Sequence, residues 1–348
     1  MTEPTTPRRQ RLIRQMIGPA VPRLWCPPIT HYTPEGAVDT HRMTAHWRTM
    51  VPYVGGFLVP GSTGDGWEMS EAEIADMLTL ATDLAVSLDT QVLIGALRPS
   101  VNEMLDVIKA TLASLKVVSG TEDALAALQA RHVAAFTICP PQGADLSQSA
   151  IQSGLEAVLD LGLPTAIYQL PQVTQNEIAP EVFKDLAARY GNFVFLKDTS
   201  GEDRVPLADR GHSGVFLVRG AEGNYASWLR EAGGCYDGLL LSSANGFAAE
   251  LAEMIALLET GELDLAFTLS ERITAAVRGA FAAVADVAAG NAFANANKAL
   301  DHVRAYGRDA LDAAPPLLHA GIRLPQSVVA KTCEILAACG FMPVTGYL

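Results

Sequence analysis

Short, uninterrupted apolar runs recur between residues 23 and 241, and longer amphipathic segments separate them. Runs that are apolar throughout, without polar alternation, are typical of strands buried on both faces. A strand followed each time by a helical pattern predicts a parallel sheet. The eight candidate strands are residues 23–26, 56–59, 92–96, 134–139, 165–170, 193–196, 215–218 and 238–241.

Eight such units favour a closed barrel over an open doubly wound sheet. A GxGxxG fingerprint does not follow the first run, which weakens a dinucleotide-binding alternative. After residue 261 the strand pattern stops, and the remainder is rich in Ala and Leu. We therefore predict an α/β fold, a (β/α)8 TIM barrel with a C-terminal helical extension. Its parts would be a loosely held N-terminal arm (1–19), the barrel (20–262) and a helical domain (263–348).

Charge and composition narrow the functional classes. The formal net charge of −13 argues against a nucleic-acid partner, whose phosphates require a basic surface. The five cysteines form no CxxC pair, so a disulfide framework or a structural zinc site is not expected. Reduced thiols, the lack of a signal-like apolar core near the start and the lack of a long uncharged run predict a cytoplasmic protein without membrane spans.

The carboxyl end of the second candidate strand carries two hydroxyl side chains between glycines. Residues 61–66 read GSTGDG and include Ser62 and Thr63. Glycines allow backbone N–H groups to converge on an anion, and hydroxyls add further donors. One interpretation is a carboxylate clamp. The other is an ordinary strand-to-helix turn, with Ser70 capping the next helix.

The fifth and sixth candidate strands end in residues that can carry out proton transfer and nucleophilic attack. Tyr168 is either a proton relay or a half-buried core aromatic residue. Lys197 follows four apolar residues, and burial of an ammonium group is costly unless the group is paired or neutralised. Desolvation would lower its pKa and leave a free amine that can attack a carbonyl. The alternative is a strand-end lysine that reaches water or pairs with Asp198.

An amine, a phenol and a carboxylate clamp on one barrel are the groups required for Schiff-base chemistry on a 2-oxo acid. The order GSTGDG, YQLP and KDTSG also resembles the motif series of the dihydrodipicolinate synthase / N-acetylneuraminate lyase family. Residues 234–245, on the last candidate strand, are similar to that family's GADGxIS…N segment.

The resemblance implies a role for each matching residue. Lys197 would form the imine, Tyr168 would relay protons, and Ser62 would both bind the carboxylate and pass protons to Tyr168. The remaining implied substrate contacts are Gly61, Thr63, Thr199, Gly220, Glu222 and Leu239. The resemblance also implies class I chemistry, which needs no metal and no cofactor, and a homo-oligomer, either a dimer or a tetramer.

Two departures from the family's pattern bear on specificity. The tyrosine pair that often follows the fourth strand is replaced by Cys139-Pro140-Pro141-Gln142. The arginine that binds the aldehyde substrate in true dihydrodipicolinate synthases is also absent, because Gln172 follows Pro171. We therefore do not expect lysine biosynthesis. A pocket of hydrogen-bonding groups suited to hydroxyls is predicted instead, formed by Gln142, Gln169, Gln172 and Glu222. For His31 and Arg98 a loop-packing or surface role is favoured over a substrate contact.

Three functions remain open from the sequence. The first is an aldolase or lyase acting on pyruvate and 4-hydroxy-2-oxo acids. The second is a dehydratase of a sugar-derived 2-oxo-3-deoxy acid that uses the same imine. The third is a non-catalytic keto-acid-binding regulator on the same scaffold, which the joint presence of Lys197, Tyr168 and Ser62 disfavours.

Overall fold

The computed structural model describes residues 5–348 and contains a closed barrel of eight parallel strands. Each strand pairs with the next in chain order, and β1 pairs with β8 to close the ring. All eight predicted strands are present, with ends shifted by at most two residues. They are β1 Leu24–Cys26, β2 Gly56–Val59, β3 Gln91–Gly95, β4 Val133–Ile138, β5 Thr165–Gln169, β6 Phe193–Asp198, β7 Phe216–Arg219 and β8 Gly238–Leu240.

Helices surround the barrel and continue beyond it. Ser70 and Ser100 both begin their helices with a capping box, in which the serine and a glutamate three residues later satisfy each other's backbone N–H groups. Within residues 5–348 the α-helices are α1 Thr5–Met16, α2 Thr40–Met50, α3 Glu71–Ser87, α4 Val101–Ser119, α5 Ala124–Ala130, α6 Gln148–Leu159, α7 Pro171–Thr174, α8 Pro180–Arg189, α9 Arg204–Asp209, α10 Tyr225–Trp228, α11 Ala244–Glu259, α12 Leu263–Ala283, α13 Ala292–Tyr306 and α14 Gln326–Ala338. None of them is both long and apolar enough to cross a membrane.

The described part of the predicted N-terminal arm (1–19) begins with helix α1 and is not loosely held, while residues 1–4 lie outside the described residues. Helix α1 places Arg9, which is fully buried, against the side of the barrel where the strands begin. The Arg9 guanidinium donates hydrogen bonds to the backbone carbonyls of Phe193, Ala187, Tyr190 and Ser213. Helix α1 is therefore fixed to the barrel by an arginine that donates to backbone carbonyls. The boundaries that we predicted at residues 19 and 262 stay predictions.

Strand register decides which side chains enter the barrel. Tyr168 of β5 is opposite Lys197 of β6, and Lys197 is opposite Val218 of β7. One residue further on, Gln169, Asp198 and Arg219 are opposite one another. Successive residues of a strand project to opposite faces, whereas neighbours in register project to the same face. Tyr168 and Lys197 therefore share the interior, and the following residue of each strand faces the surrounding helices.

Candidate active site

Lys197 lies at the carboxyl end of β6 with only 4% of its surface exposed. Its Nζ atom lies 4.0 Å from the centre of the Tyr168 ring, which it faces. Burial lowers the pKa of Lys197 to about 7, although the nearby groups Glu222 and Cys26 act in the opposite direction. Near pH 7 a substantial fraction of the molecules therefore carry Lys197 as a neutral amine, which is the form that attacks a carbonyl carbon.

The absence of a side chain at Gly220 makes room for this lysine. A Cβ atom at position 220 would lie 2.6 Å from Lys197 Cε and 2.5 Å from Thr199 Cγ2. Real Cβ atoms do not approach other atoms so closely, so a larger residue would displace the amine or the threonine. The predicted substrate contact Gly220 is thus brought beside Lys197, where its backbone N–H donates to the carbonyl of Asp198 at 2.7 Å.

Tyr168 is buried beside the lysine, and two predicted site hydroxyls lie near its phenol group. Burial raises the pKa of Tyr168 well above its ordinary value, while the hydroxyls of Thr199 and Ser62 act to lower it. Thr199 donates its own proton to the carbonyl of Gln169 at 2.9 Å, which leaves its oxygen free to accept another. Lys197, Tyr168, Thr199 and Ser62 therefore form one contiguous group, which joins the three residues predicted from the strand ends to Thr199, which the family resemblance implied.

The loop 61–66 makes a 3-10 turn at Ser62–Gly64. The carbonyl of Gly61 accepts hydrogen bonds from the N–H groups of Gly64 and Gly66, both at 3.0 Å. At Gly64 a Cβ atom would lie 2.6 Å from the carbonyl oxygen of Pro28, so the close approach of the two chain segments requires glycine there. Thr63 is buried within this turn. The first N–H groups of a short helical turn have no partner inside it, so they can bind an anion.

Glu222 follows β7 and is held firmly by three donors. One carboxylate oxygen accepts from the Ser242 hydroxyl at 2.5 Å and the Ser243 N–H at 3.0 Å, and the other accepts from the Tyr225 hydroxyl at 2.8 Å. Its charge is close enough to raise the pKa of Lys197. Glu222 therefore places a fixed, half-buried acceptor beside the lysine.

The sequence predicted that Gln169 lines the hydrogen-bonding pocket, and this prediction is wrong. Its side chain bonds Asp198 at 3.2 Å and the Ile178 N–H at 2.9 Å, in the layer outside the strands. Gln172 donates to the carbonyl of Thr199 at 2.7 Å, and the exposed Gln142 donates to the carbonyl of Val173 at 3.1 Å. These two amides hold loop backbone in place.

The structure directs the Leu239 side chain away from Lys197. Leu239 is in register with Arg219 of β7, whose guanidinium pairs with Asp203 outside the barrel. Because neighbours in register project to the same face, Leu239 points towards the helices. Its N–H is also engaged, by the carbonyl of Arg23 at 2.7 Å. Both observations argue against the substrate contact that we expected.

His31 and Arg98 both contact protein groups. His31 lies 3.3 Å from His46 and 3.5 Å from Asp301, and these three residues could together approach a metal ion. Arg42 already neutralises Asp301 at 3.2 Å, which favours a structural network. Arg98 donates to the carbonyl of Gly66 at 3.1 Å and lines a groove of about 510 Å³ between α3 and α4, outside the barrel.

Two residues to which the sequence assigned no role, Trp67 and Cys139, lie beside the predicted hydroxyls. The Trp67 indole donates to the Ser62 oxygen at 3.0 Å, which orients that hydroxyl. Cys139 lies close enough to influence the titration of Tyr168, and burial raises the pKa of its thiol to about 12. The position of Trp67 directly after the GSTGDG loop was the available signal for its contact. For Cys139 the signal was its place after the fourth strand, where the family often has a tyrosine pair.

Comparison with known proteins assigns the chain to a family. The dihydrodipicolinate synthetase family matches residues 20–290, most of the chain. The chain belongs to that family. An uncharacterised DapA-like lyase of Pyrobaculum islandicum is 35% identical over 96 residues, 26% of this chain and 32% of that lyase. A 4-hydroxy-tetrahydrodipicolinate synthase of Prosthecochloris aestuarii is 29% identical over 155 residues, 44% of this chain and 51% of that enzyme. The alignments thus span about a third and about half of these relatives.

Solved structures of family members share the fold along nearly the whole chain. The Escherichia coli K12 family member YagE, solved in complex with pyruvate, matches with a TM-score of 0.71 at 18% identity, covering 92% of this chain and 99% of its own. A variant of the Sulfolobus solfataricus 2-keto-3-deoxygluconate aldolase matches with a TM-score of 0.69 at 14% identity, covering 91% and 96%. The barrel with its C-terminal helices is therefore the family fold, and the family's members include lysine Schiff-base lyases.

Proposed function

We propose that this protein is a Schiff-base-forming lyase that acts on pyruvate and 4-hydroxy-2-oxo acids, with Lys197 as the nucleophile. The observation that carries the proposal is a buried amine with a pKa of about 7, facing the Tyr168 ring at 4.0 Å. Membership of a family that contains a protein solved in complex with pyruvate and a 2-keto-3-deoxygluconate aldolase supports the substrate class.

The chemistry begins when the neutral Lys197 amine attacks the C2 carbonyl carbon of the 2-oxo acid. The resulting carbinolamine loses water to give an iminium, and Tyr168 transfers the required protons between nitrogen and oxygen. In a 4-hydroxy-2-oxo acid the iminium accepts the electron pair of the C3–C4 bond as the 4-hydroxyl group loses its proton. An aldehyde leaves, and the enamine on Lys197 is protonated at C3 and hydrolysed to release pyruvate.

The loop 61–66 would hold the substrate carboxylate. Ser62 and Thr63 offer hydroxyls and the first N–H groups of a turn, and Ser62 also acts on the Tyr168 phenol. A carboxylate bound there would direct the C2 carbon of a short 2-oxo acid towards the lysine. Thr199 and Glu222, on the adjoining strand ends, would face the remainder of the substrate.

The groups around the site favour a neutral, hydroxylated second part of the substrate. Arg98 and Arg219 are both engaged by protein acceptors, and Glu222 places a carboxylate near Lys197. A carboxylate on the second substrate would meet like charge without a guanidinium to pair with it. We therefore propose that the enzyme is not a dihydrodipicolinate synthase. By its family resemblance we also propose that it is a cytoplasmic homo-oligomer whose chemistry needs neither metal nor cofactor.

Reductive trapping tests the nucleophile. Incubation with pyruvate and borohydride should add one reduced pyruvyl group on Lys197, located by intact mass and peptide mapping. The Lys197→Ala variant should take up none. Tyr168→Phe should still form some adduct but turn over substrate about 10² to 10⁴ times more slowly, the usual weight of general acid–base catalysis.

A label on any other lysine would contradict the assignment, and wild-type turnover by Tyr168→Phe would show that another group moves the proton. Product analysis with 2-oxo-3-deoxy acids separates aldol cleavage from dehydration. Trapping without turnover on any substrate would instead favour the non-catalytic binding protein.

A further inference from the structure

Helix α13 of the C-terminal region contacts the loop that carries Ser62 and Thr63. The Lys298 ammonium donates to Asp65 Oδ2 at 2.9 Å and to the carbonyl of Leu317 at 3.2 Å. Tyr32 donates its hydroxyl to the same Asp65 oxygen at 3.0 Å, and Lys298 also lies over the Tyr32 ring, 4.6 Å from its centre. Asp65 directly follows the turn Ser62–Gly64 and has a left-handed backbone with a φ of 62°.

The ion pair is costly to break. Lys298 and Asp65 are 1% and 2% exposed, so neither charge can be solvated if its partner is removed. Removal of one member of a buried pair is strongly destabilising, whereas neutralisation of both is often tolerated. A turn of three residues has little stability of its own. The position of the loop is therefore fixed by other parts of the chain, because Lys298 and Tyr32 both donate to the buried carboxylate of Asp65.

A second contact acts on the loop backbone. The Asn291 amide donates to the carbonyl oxygen of Ser62 at 3.2 Å and to Glu68 at 3.3 Å. The oxygen of the same amide caps α13 by accepting from the Ala294 N–H at 2.8 Å. Asn291 thus joins the start of α13 directly to the residue whose hydroxyl acts on Tyr168.

From these contacts we infer that Lys298 and Asn291 are positioning residues, which set the geometry of the carboxylate clamp from the C-terminal region. The inference rests on the proposed function, because it assumes that Ser62 and Thr63 bind the pyruvate carboxylate. Neither positioning residue touches the reacting atoms. Their loss should weaken substrate binding more than it changes the reactivity of Lys197.

The test measures adduct formation on Lys197 as a function of pyruvate concentration in the presence of borohydride. The Lys298→Met/Asp65→Asn double variant removes the bridge without leaving a buried charge, and asparagine tolerates the left-handed backbone. Asn291→Ser keeps a capping oxygen for α13 and adds no charge, but loses the donor to Ser62. Both variants should raise the half-saturating pyruvate concentration about tenfold, the equivalent of about 1.4 kcal/mol, and should reach the wild-type extent of labelling at saturation.

Arg304→Met is the matched control, since it removes another ion pair of α13, to Glu250 at 2.6 Å. It should lower the melting temperature and leave the pyruvate dependence unchanged. Wild-type pyruvate dependence in both the double variant and Asn291→Ser would overturn the inference, as would an equal shift in Arg304→Met. If the wild-type protein forms no adduct, the proposed function fails instead.

Discussion

At the scale of single residues, the ionisation of Lys197 governs reactivity. Burial is the largest influence and lowers its pKa to about 7, so the free amine increases as the pH rises through 7. The initial rate of trapping at low pyruvate concentration should therefore rise between pH 6 and pH 8 and level off far below the ordinary lysine pKa. Cyanoborohydride trapping followed by mass spectrometry measures this rate across the range.

Glu222 provides a control for the electrostatic influence on the Lys197 pKa. The Glu222 carboxylate raises the pKa of Lys197, so Glu222→Gln should move the midpoint of the profile to lower pH. A midpoint near 10 in the wild-type protein would show that Lys197 is solvated. A midpoint that shifts upwards in Glu222→Gln would show that the glutamate does not stabilise the ammonium form.

At the scale of secondary structure elements, α1 should contribute strongly to stability. Replacement of Arg9 by leucine removes the donors to the carbonyls of Phe193, Ala187, Tyr190 and Ser213. Unpaired buried acceptors cost about 1–3 kcal/mol each, so we expect a loss of about 3 kcal/mol or more in urea unfolding. Arg14→Leu, at an exposed position on the same helix, should change stability by less than about 0.5 kcal/mol. Equal effects of the two changes would contradict this account.

The elements also show what the sequence can predict. Strands covered on both sides must be apolar throughout, so the eight runs identified the barrel, and Lys197 was conspicuous because it interrupts one of them. Alternation could have shown that Gln169 faces away from Tyr168, its neighbour in the chain. The burial of Arg9 could not be foreseen, because it depends on carbonyls about 180 to 200 residues away that the fold alone brings together. The register that turns Leu239 outwards is equally invisible in the sequence.

At the scale of the whole molecule, the arrangement of charge around the barrel mouth predicts substrate preference. Condensation of pyruvate with aspartate semialdehyde requires a cation for the second carboxylate. Arg98 lies at the groove between α3 and α4 outside the barrel, and Arg219 is paired with Asp203. Loss of a charge-assisted hydrogen bond should lower specificity for that substrate by roughly one to two orders of magnitude relative to uncharged aldehydes. A coupled assay comparing aspartate semialdehyde with glyceraldehyde measures the ratio. Robust turnover of the semialdehyde would show that Arg98 or a neighbouring subunit provides the cation.

The bridge between Asp65 and Lys298 has a consequence for how the protein is made. The two residues are 233 positions apart, so a ribosome working at about 5–20 residues per second needs roughly 10–50 s to pass from one to the other. During that time Asp65 and the turn before it lack their cation. All eight barrel strands, and Lys197 with them, would therefore emerge from the ribosome before Lys298 could fix the carboxylate-binding loop. Catalytic competence would then arrive late in translation, after the helix that follows residue 291 has left the exit tunnel.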